Sequence, residues 1–312
     1  MASDRGHINQ ALTNYAAGVA KNLDQQFIAD QVAPPIPVPS MSDAYWKMGD
    51  DSMRADGDII GLTSDVPRVA FAWSDDAYSV KEYGYESVLS KAKLANADGG
   101  MGLLRTTSAG LVRKIKLELE IRVAARYADT GVFTNTSALD AANRWDNDTS
   151  DPVGQAQTAL ETQRGLIGVQ PNTLIIGAHV YSHLRLHPAI TSRLAGLVAG
   201  SPATDAQIAA CLGVDRVIVG RAVKITSKEG ATKTKADVWG KIAVFCYIDP
   251  SVDVAQGNIT PVQRFAYTGF MPEFGTYEYD EGALKRVLGV YAAYDLKTVA
   301  ADASYLYTTA VG

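Results

Sequence analysis

The chain is poor in the residues that would announce a simple function. Cysteine occurs twice in 312 residues, at Cys211 and Cys246. That excludes a disulfide framework and reads as two buried thiols in a reducing compartment. No apolar run approaches the roughly 20 residues that span a bilayer. The opening Met-Ala-Ser-Asp-Arg-Gly-His lacks the charged-then-apolar layout of a signal peptide. There is no excess of base either: 29 Lys and Arg against 34 Asp and Glu leave a net charge of −5, so the surface as a whole is not a DNA clamp. What is present is a globular composition, 47% hydrophobic and 20% charged, with enough chain for one large domain or two modest ones. The expectation is a soluble, intracellular chain of mixed helix and strand.

The charge is unevenly placed. Residues 43–98 carry six bases and eleven acids, and residues 99–130 carry six bases and three acids. An acidic segment followed by a basic one fits complementary surfaces, within one chain or between copies, and fits two solvated faces of unequal charge equally well.

Residues 1–30 have helical spacing through Ile8, Leu12, Tyr15, Val19, Leu23 and Phe27. Pro34, Pro35, Pro37 and Pro39 then predict an extended strap. Helix and strap together make an arm with little core of its own. Over 43–98 the alternation of Val69, Phe71 and Trp73, a Ser74-Asp75-Asp76 turn and a return strand from Tyr78 to Tyr85 predict an extended hairpin, which needs a neighbouring surface. The glycines of 95–102 read as a hinge; a phosphate loop would need Gly-Lys-Ser/Thr after a buried strand.

From Thr106 to about Ala128, Val112, Ile115, Leu119 and Val123 form one apolar stripe beside Glu118, Arg122 and Arg126 at i, i+4 spacing. This predicts a long helix, a spine of about 35 Å. Asp151 before Pro152 marks a helix start running to about Arg164. Thr173–Gly177 reads as a short buried strand, with helices around 178–186, 188–197 and 204–212. Strands are expected over 216–225, 238–248, 262–270, 277–279 and 284–294. The section 151–250 reads as a compact unit, the last strands are expected along the spine, and there are no internal repeats.

His179, His183 and His187 recur every four residues, and two imidazoles at that spacing can share a metal. No glutamate lies between them as a base and Pro188 disturbs the helix end, which favours histidines at a domain surface or interface. Asp146, Asp148 and Ser150 imitate the start of a calcium loop. Asp151 stands where that loop needs Gly and Gln157 where it needs Glu, so capping and turn roles are expected. No Gly-x-Ser-x-Gly elbow or Cys/His pairing assembles a nucleophile. No catalytic residue, metal or cofactor is assigned.

The order of parts, arm, proline strap, acidic aromatic hairpin, hinge, long spine and compact unit with strands running back, resembles the major capsid proteins of tailed bacteriophages, which share the Hong Kong 97 phage capsid fold. The wording of 145–190 carries the resemblance at motif level: Trp145, Ser150-Asp151-Pro152, then Gly168-Val169-Gln170-Pro171-Asn172-Thr173 and His187-Pro188-Ala189-Ile190. The resemblance implies an α+β fold with residues 1–45 as N-terminal arm, 46–98 as extended loop, 99–150 with 251–312 as peripheral domain and 151–250 as axial domain. It implies a non-enzymatic, self-assembling subunit. Its hexamers and pentamers would form an icosahedral virion shell around double-stranded DNA, assembled in the host cytoplasm.

Implied partners are further copies of the chain, a separate scaffolding protein, a portal, a decoration protein, and DNA without sequence-specific contacts; no membrane is implied. Some members join subunits through Lys–Asn bonds; Lys81, Lys91 and Lys93 lie in or near the loop, but no motif marks a partner, so no crosslink is assigned. Trp46, Trp73, Tyr78, Tyr83 and Tyr85 are the expected loop anchors, lying with the acidic loop on a neighbour's basic spine at Arg113, Lys114 and Lys116. The alternatives are an encapsulin-type cargo shell of the same fold and, from another class, a metal-dependent hydrolase using His179, His183 and His187.

Overall fold

In chain order, helix α1 (Gln10–Leu23) and the one-turn α2 (Ala29–Val32) lead into strand β1 (Pro35–Val38), then β2 (Ser42–Met48), β3 (Trp73–Ser79) and β4 (Lys81–Ser90). A short α3 (Lys91–Asn96) precedes the spine, α4 (Met101–Tyr127), and the two-residue β5 (Thr136–Ser137). The second half begins with α5 (Pro152–Ile167), β6 (Thr173–Gly177), α6 (Ala178–Leu184), α7 (Pro188–Thr191) and α8 (Asp205–Leu212). It continues through β7 (Arg216–Gly220), β8 (Val223–Ile225), β9 (Lys235–Asp237) and β10 (Ala243–Cys246). It closes with β11 (Val262–Tyr267), β12 (Gly275–Glu281), β13 (Lys285–Thr298) and β14 (Ser304–Tyr307). The structure, a computed structural model, describes residues 10–23, 26–48, 53, 68, 73–96, 101–194, 201–249, 259–270 and 274–312. Ile8, Val69, Phe71, the Trp73 side chain and the centre of the expected hinge, 97–100, lie outside the described residues. Among the described residues no helix is long and apolar enough to cross a membrane.

Helix α4 starts five residues earlier than its stripe suggested and is about 40 Å long. Val112, Ile115, Leu119, Val123 and Tyr127 are all buried along it. One side receives α1 through Leu12, Ala16 and Ala20, spaced by four. The other side covers the first sheet, where Leu288, Val290, Ala292 and Tyr294 alternate inward along β13.

That sheet is built on β13, which pairs antiparallel with β4, β12 and β11. The proline strap is its outer strand: β1 runs parallel to β11, with Ile36 and Val38 buried and Pro37 exposed. Proline is tolerated on an edge because nothing there needs its missing N–H.

The second sheet has the order β5-β14-β10-β6-β7, and α5, α6, α7 and α8 pack with it. Helix α5 begins as its sequence requires: Asp151 accepts from the Gly154 amide at 3.0 Å, and Pro152 takes the first position. Two findings depart from expectation. Ser74-Asp75-Asp76 is not a turn but part of β3, because Asp76 is held in the strand by Lys47 Nζ at 2.8 Å and the Tyr45 hydroxyl at 3.1 Å. The end of the chain does not stay along the spine: β14 pairs with β10 and β5 in the second sheet.

Between the sheets lies Trp239, 1% exposed, against a position that only glycine permits. A Cβ on Gly220 would stand 2.1 Å from the indole Cδ1. Gly220→Ala is therefore expected to lower stability by about 1–3 kcal/mol, measured by denaturant unfolding of the unassembled chain.

Candidate assembly interface

The expected interface residues are best located from the spine outward. Strand β4 hydrogen-bonds along β13 from Lys81 to Ser90, so Tyr83 and Tyr85 are turned onto their own α4. The Arg122 guanidinium lies 3.7 Å from the Tyr83 ring centre, and Tyr294 packs on that ring at 4.6 Å. The Tyr85 hydroxyl donates to Glu118, Lys114 Nζ stands 4.3 Å over the Tyr85 ring, and Glu118 also pairs with Arg122. Burial opposes the Glu118 charge, but the hydrogen bonds from Tyr85 and Arg122 outweigh it and hold the carboxyl below its ordinary range. Burial and the bond to Glu118 push the Tyr85 phenol up to about 12. These groups use one another within the subunit.

Two of the expected residues are removed from any surface. Tyr78 is buried, stacked on Phe265 at 4.7 Å with a 7° tilt, and Tyr45 covers the same ring at 5.0 Å. Lys116 is 3% exposed and donates to Asp30 Oδ2 at 2.9 Å, while Arg264, 1% exposed, reaches Asp30 Oδ1 at 2.7 Å. Lys116 thus meets its acid in the arm of its own chain, because the helical stripe that buries Ile115 also buries its neighbour Lys116. Burial disfavours the Asp30 carboxylate, but the charges of Arg264 and Lys116 win and lower its pKa. One turn on, the buried Glu120 accepts from the Ala29 amide at 2.7 Å and Trp239 Nε1 at 2.5 Å. Here burial dominates those donors and raises the pKa.

Arg113 and Trp46 remain on the surface, Trp46 61% exposed on the two-stranded ribbon that β2 and β3 form by themselves. Sequence reasoning missed Val88 (53% exposed), Leu284 (76%), Val223 and Ile225. The signal for Val223 and Ile225 was present in Val-Lys-Ile, an apolar alternation set in a lysine-rich stretch.

The histidines do not converge. His179 and His183 meet edge to face at 5.0 Å. His187 is buried and serves the fold, its Nε2 near Ser150 Oγ (3.1 Å) and the Asn147 carbonyl (3.0 Å), and its Nδ1 accepting from the Ala189 amide. The carbonyl requires a donor and the amide an acceptor, which selects the Nε2–H tautomer. Among the described residues no three His, Cys, Asp or Glu side chains gather as a metal site. Asp146 and Asp151 bind backbone amides. Cys246 is fully buried, which pushes its thiol well up and away from reactivity.

Two sheets joined through one long helix, with a separate ribbon and an N-terminal arm, define the class: this is the α+β fold of the Hong Kong 97 phage capsid. The fold extends to the capsid of the cyanophage P-SCSP1u, which is 8% identical, covers 90% of this chain and 87% of that one, and aligns with a TM-score of 0.55. The chain belongs to the phage capsid protein family, whose model matches residues 74–309. It is 23% identical to the major capsid protein of Pseudomonas phage JBD67 over 237 residues, 75% of each chain. A phage-related protein from Bordetella bronchiseptica RB50 matches over 98% of both chains with a TM-score of 0.76 and 21% identity. The chain is therefore a structural component of a phage shell.

The buried cluster makes a prediction for the subunit itself. Asp30→Asn leaves Lys116 and Arg264 without their acid and is expected to cost about 3 kcal/mol in chemical denaturation. Because the Asp30 pKa is lowered on folding, its stabilisation is present above the ordinary carboxylate pKa. It is lost as pH falls through the lower folded value. The variant is expected to lose that part of the wild-type acid sensitivity.

Proposed function

We propose that copies of this chain form the hexamers and pentamers of an icosahedral phage head. The observation that carries this reading is the set of apolar side chains, Trp46, Val88 and Leu284, left in water on a chain that belongs to a capsid family. Such exposure has its use when neighbours cover it. The proposed units are arm 1–45, extended loop 46–98, peripheral domain 99–150 with 251–312, and axial domain 151–250. The cores around α4 and around α5 follow that division in part, since Ile175, Ile218, Trp239, Val244 and Cys246 of the axial unit join the α4 core. By strand pairing, β5 and β14 go with the axial unit although the outer segments supply them.

Proposed partners are a separate scaffolding protein, a portal, a decoration protein, and packaged double-stranded DNA held without sequence-specific contacts, with assembly in the host cytoplasm. A net charge of −5 suits a container that encloses DNA without neutralising it phosphate by phosphate. The cargo-shell alternative has less support, since the matching family and the named relative are phage proteins.

Negative-stain microscopy of the recombinant chain tests the proposal. Uniform shells, or rings of five and six, are expected; a compact monomer at high concentration overturns it. Trp46→Ser is expected to lower the assembled fraction about tenfold while changing the stability of the unassembled chain by less than about 0.5 kcal/mol.

A further inference from the structure

Strands β8 and β9 form a two-stranded sheet of their own, in the register Val223↔Asp237 to Ile225↔Lys235. At its root Ala222 is buried, the Val238 amide donates to the Ala222 carbonyl at 2.9 Å, and Trp239 is locked in the core. At its tip Lys228-Glu229-Gly230-Ala231 closes a turn, with Gly230 at φ 85°. Between root and tip nearly every residue is exposed, Val223 and Ile225 among them. Residues 221–237 carry five bases and two acids. A two-stranded ribbon is marginal alone in water, and this one projects lysines and two β-branched apolar side chains together.

The matching charge lies in residues 139–151, which carry four acids and one base; Asp140, Asp146, Asp148 and Asp151 are all exposed. This turn is an ordered platform. Trp145 beneath it is 0% exposed and bonds Gln155 at 2.6 Å, and Asn147 ties the loop to the Ala142 carbonyl at 3.0 Å. Sheet order separates the two features. The basic ribbon leaves directly after β7, and the acidic turn follows β5, the strand at the opposite edge. Five strands spaced by about 4.8 Å put those edges about 19 Å apart. The turn runs back from β5 over the end of β14, where the Trp145 amide donates to the Ala310 carbonyl at 2.8 Å; a basic projection beyond β7 and an acidic platform beyond β5 and β14 are distinct features that can make a head-to-tail contact, the kind that closes rings.

We propose that the β8–β9 ribbon docks on the 139–151 turn of the next copy of the chain in a ring, with Lys228, Lys233 and Lys235 facing Asp140, Asp146 and Asp148. The inference rests on the shell reading above and names one contact within it. A nucleic acid is the less suited occupant, because Val223 and Ile225 would stay in water against phosphates.

Two full-length variants test it: Lys228, Lys233 and Lys235→Glu, and Asp140, Asp146 and Asp148→Lys. Each alone, with its melting temperature checked, is expected to assemble at least about tenfold less than wild type at low salt. Mixed, each ribbon meets an opposite platform, and assembly returns. An odd ring cannot alternate two chains, so six-membered rings are restored and five-membered ones are depleted. Because Asp140 and Asp146 also hold backbone groups of their own chain, Lys233→Glu with Asp148→Lys repeats the test at smaller amplitude. Three outcomes overturn the contact: wild-type assembly by each variant alone, failure of two folded variants to rescue one another, or unchanged rings with weakened binding of double-stranded DNA. Wild-type chain that forms no rings under the same conditions overturns the shell reading itself.

Discussion

Two charges buried on the spine decide how the rest of the subunit is arranged. Lys116 and Glu120 lie one turn apart on the stripe that faces the core, and a buried charge left alone costs several kcal/mol. Asp30 comes to Lys116 from α2 and supplies its opposite charge, and Asp30 in turn receives Arg264 from β11. Glu120 receives the Ala29 amide and the Trp239 indole. The arm, the spine, the first sheet and the approach to the second sheet therefore meet at one place. Removing the arm would take this acid away from a buried lysine and a buried arginine, so the arm is part of the fold.

That arrangement leaves a rigid centre with unfinished edges. The apolar side chains of α4 are used up by α1 and β13, and the aromatic residues of β4 are used up by Arg122, Lys114 and Tyr294. Among the described residues Trp46 stands on a ribbon whose two strands pair with each other alone, and Leu284 on the turn between β12 and β13. A subunit built this way keeps its internal geometry while its rims are completed by contact, which suits a shell whose copies meet in more than one environment.

Much of the skeleton was legible because it rests on local signals. The spine stripe, the Asp151-Pro152 start of α5 and the apolar run of β6 each depend on residues within a turn or two of one another. What was not legible depends on partners far along the chain. Tyr78 looks like a loop aromatic until Phe265 is brought under it, and Asp76 looks like a turn residue until Lys47 crosses the ribbon to it. β14 is an unremarked Ser-Tyr-Leu-Tyr until β10 offers it an edge. Segment charges mislead in the same way: the basic count of the spine includes Lys116, whose acid sits in the arm rather than in the acidic segment that adjoins it in sequence. For the interface, the residue types were readable and their ownership was not. Aromatics beside charges mark contact surfaces, but only the β4–β13 register shows that Tyr83 and Tyr85 spend their contact on their own helix.

The chemistry of the ribbon bears on how one subunit would serve the proposed rings of different size. Its bases are lysines apart from Arg221 at the root, and the acids of the platform opposite are all aspartates. A lysine ammonium is a hydrated point charge on a flexible stem, whereas an arginine fork demands a planar, bidentate fit. Lysine–aspartate contacts at a wet surface are individually weak and tolerant of angle, so a few degrees of rotation between neighbours change their energy little. Direction still follows, because the basic and acidic features leave the sheet after different strands and like features repel. A contact of this kind orients neighbouring copies without fixing their angle, and the angle is what a ring of five and a ring of six must vary.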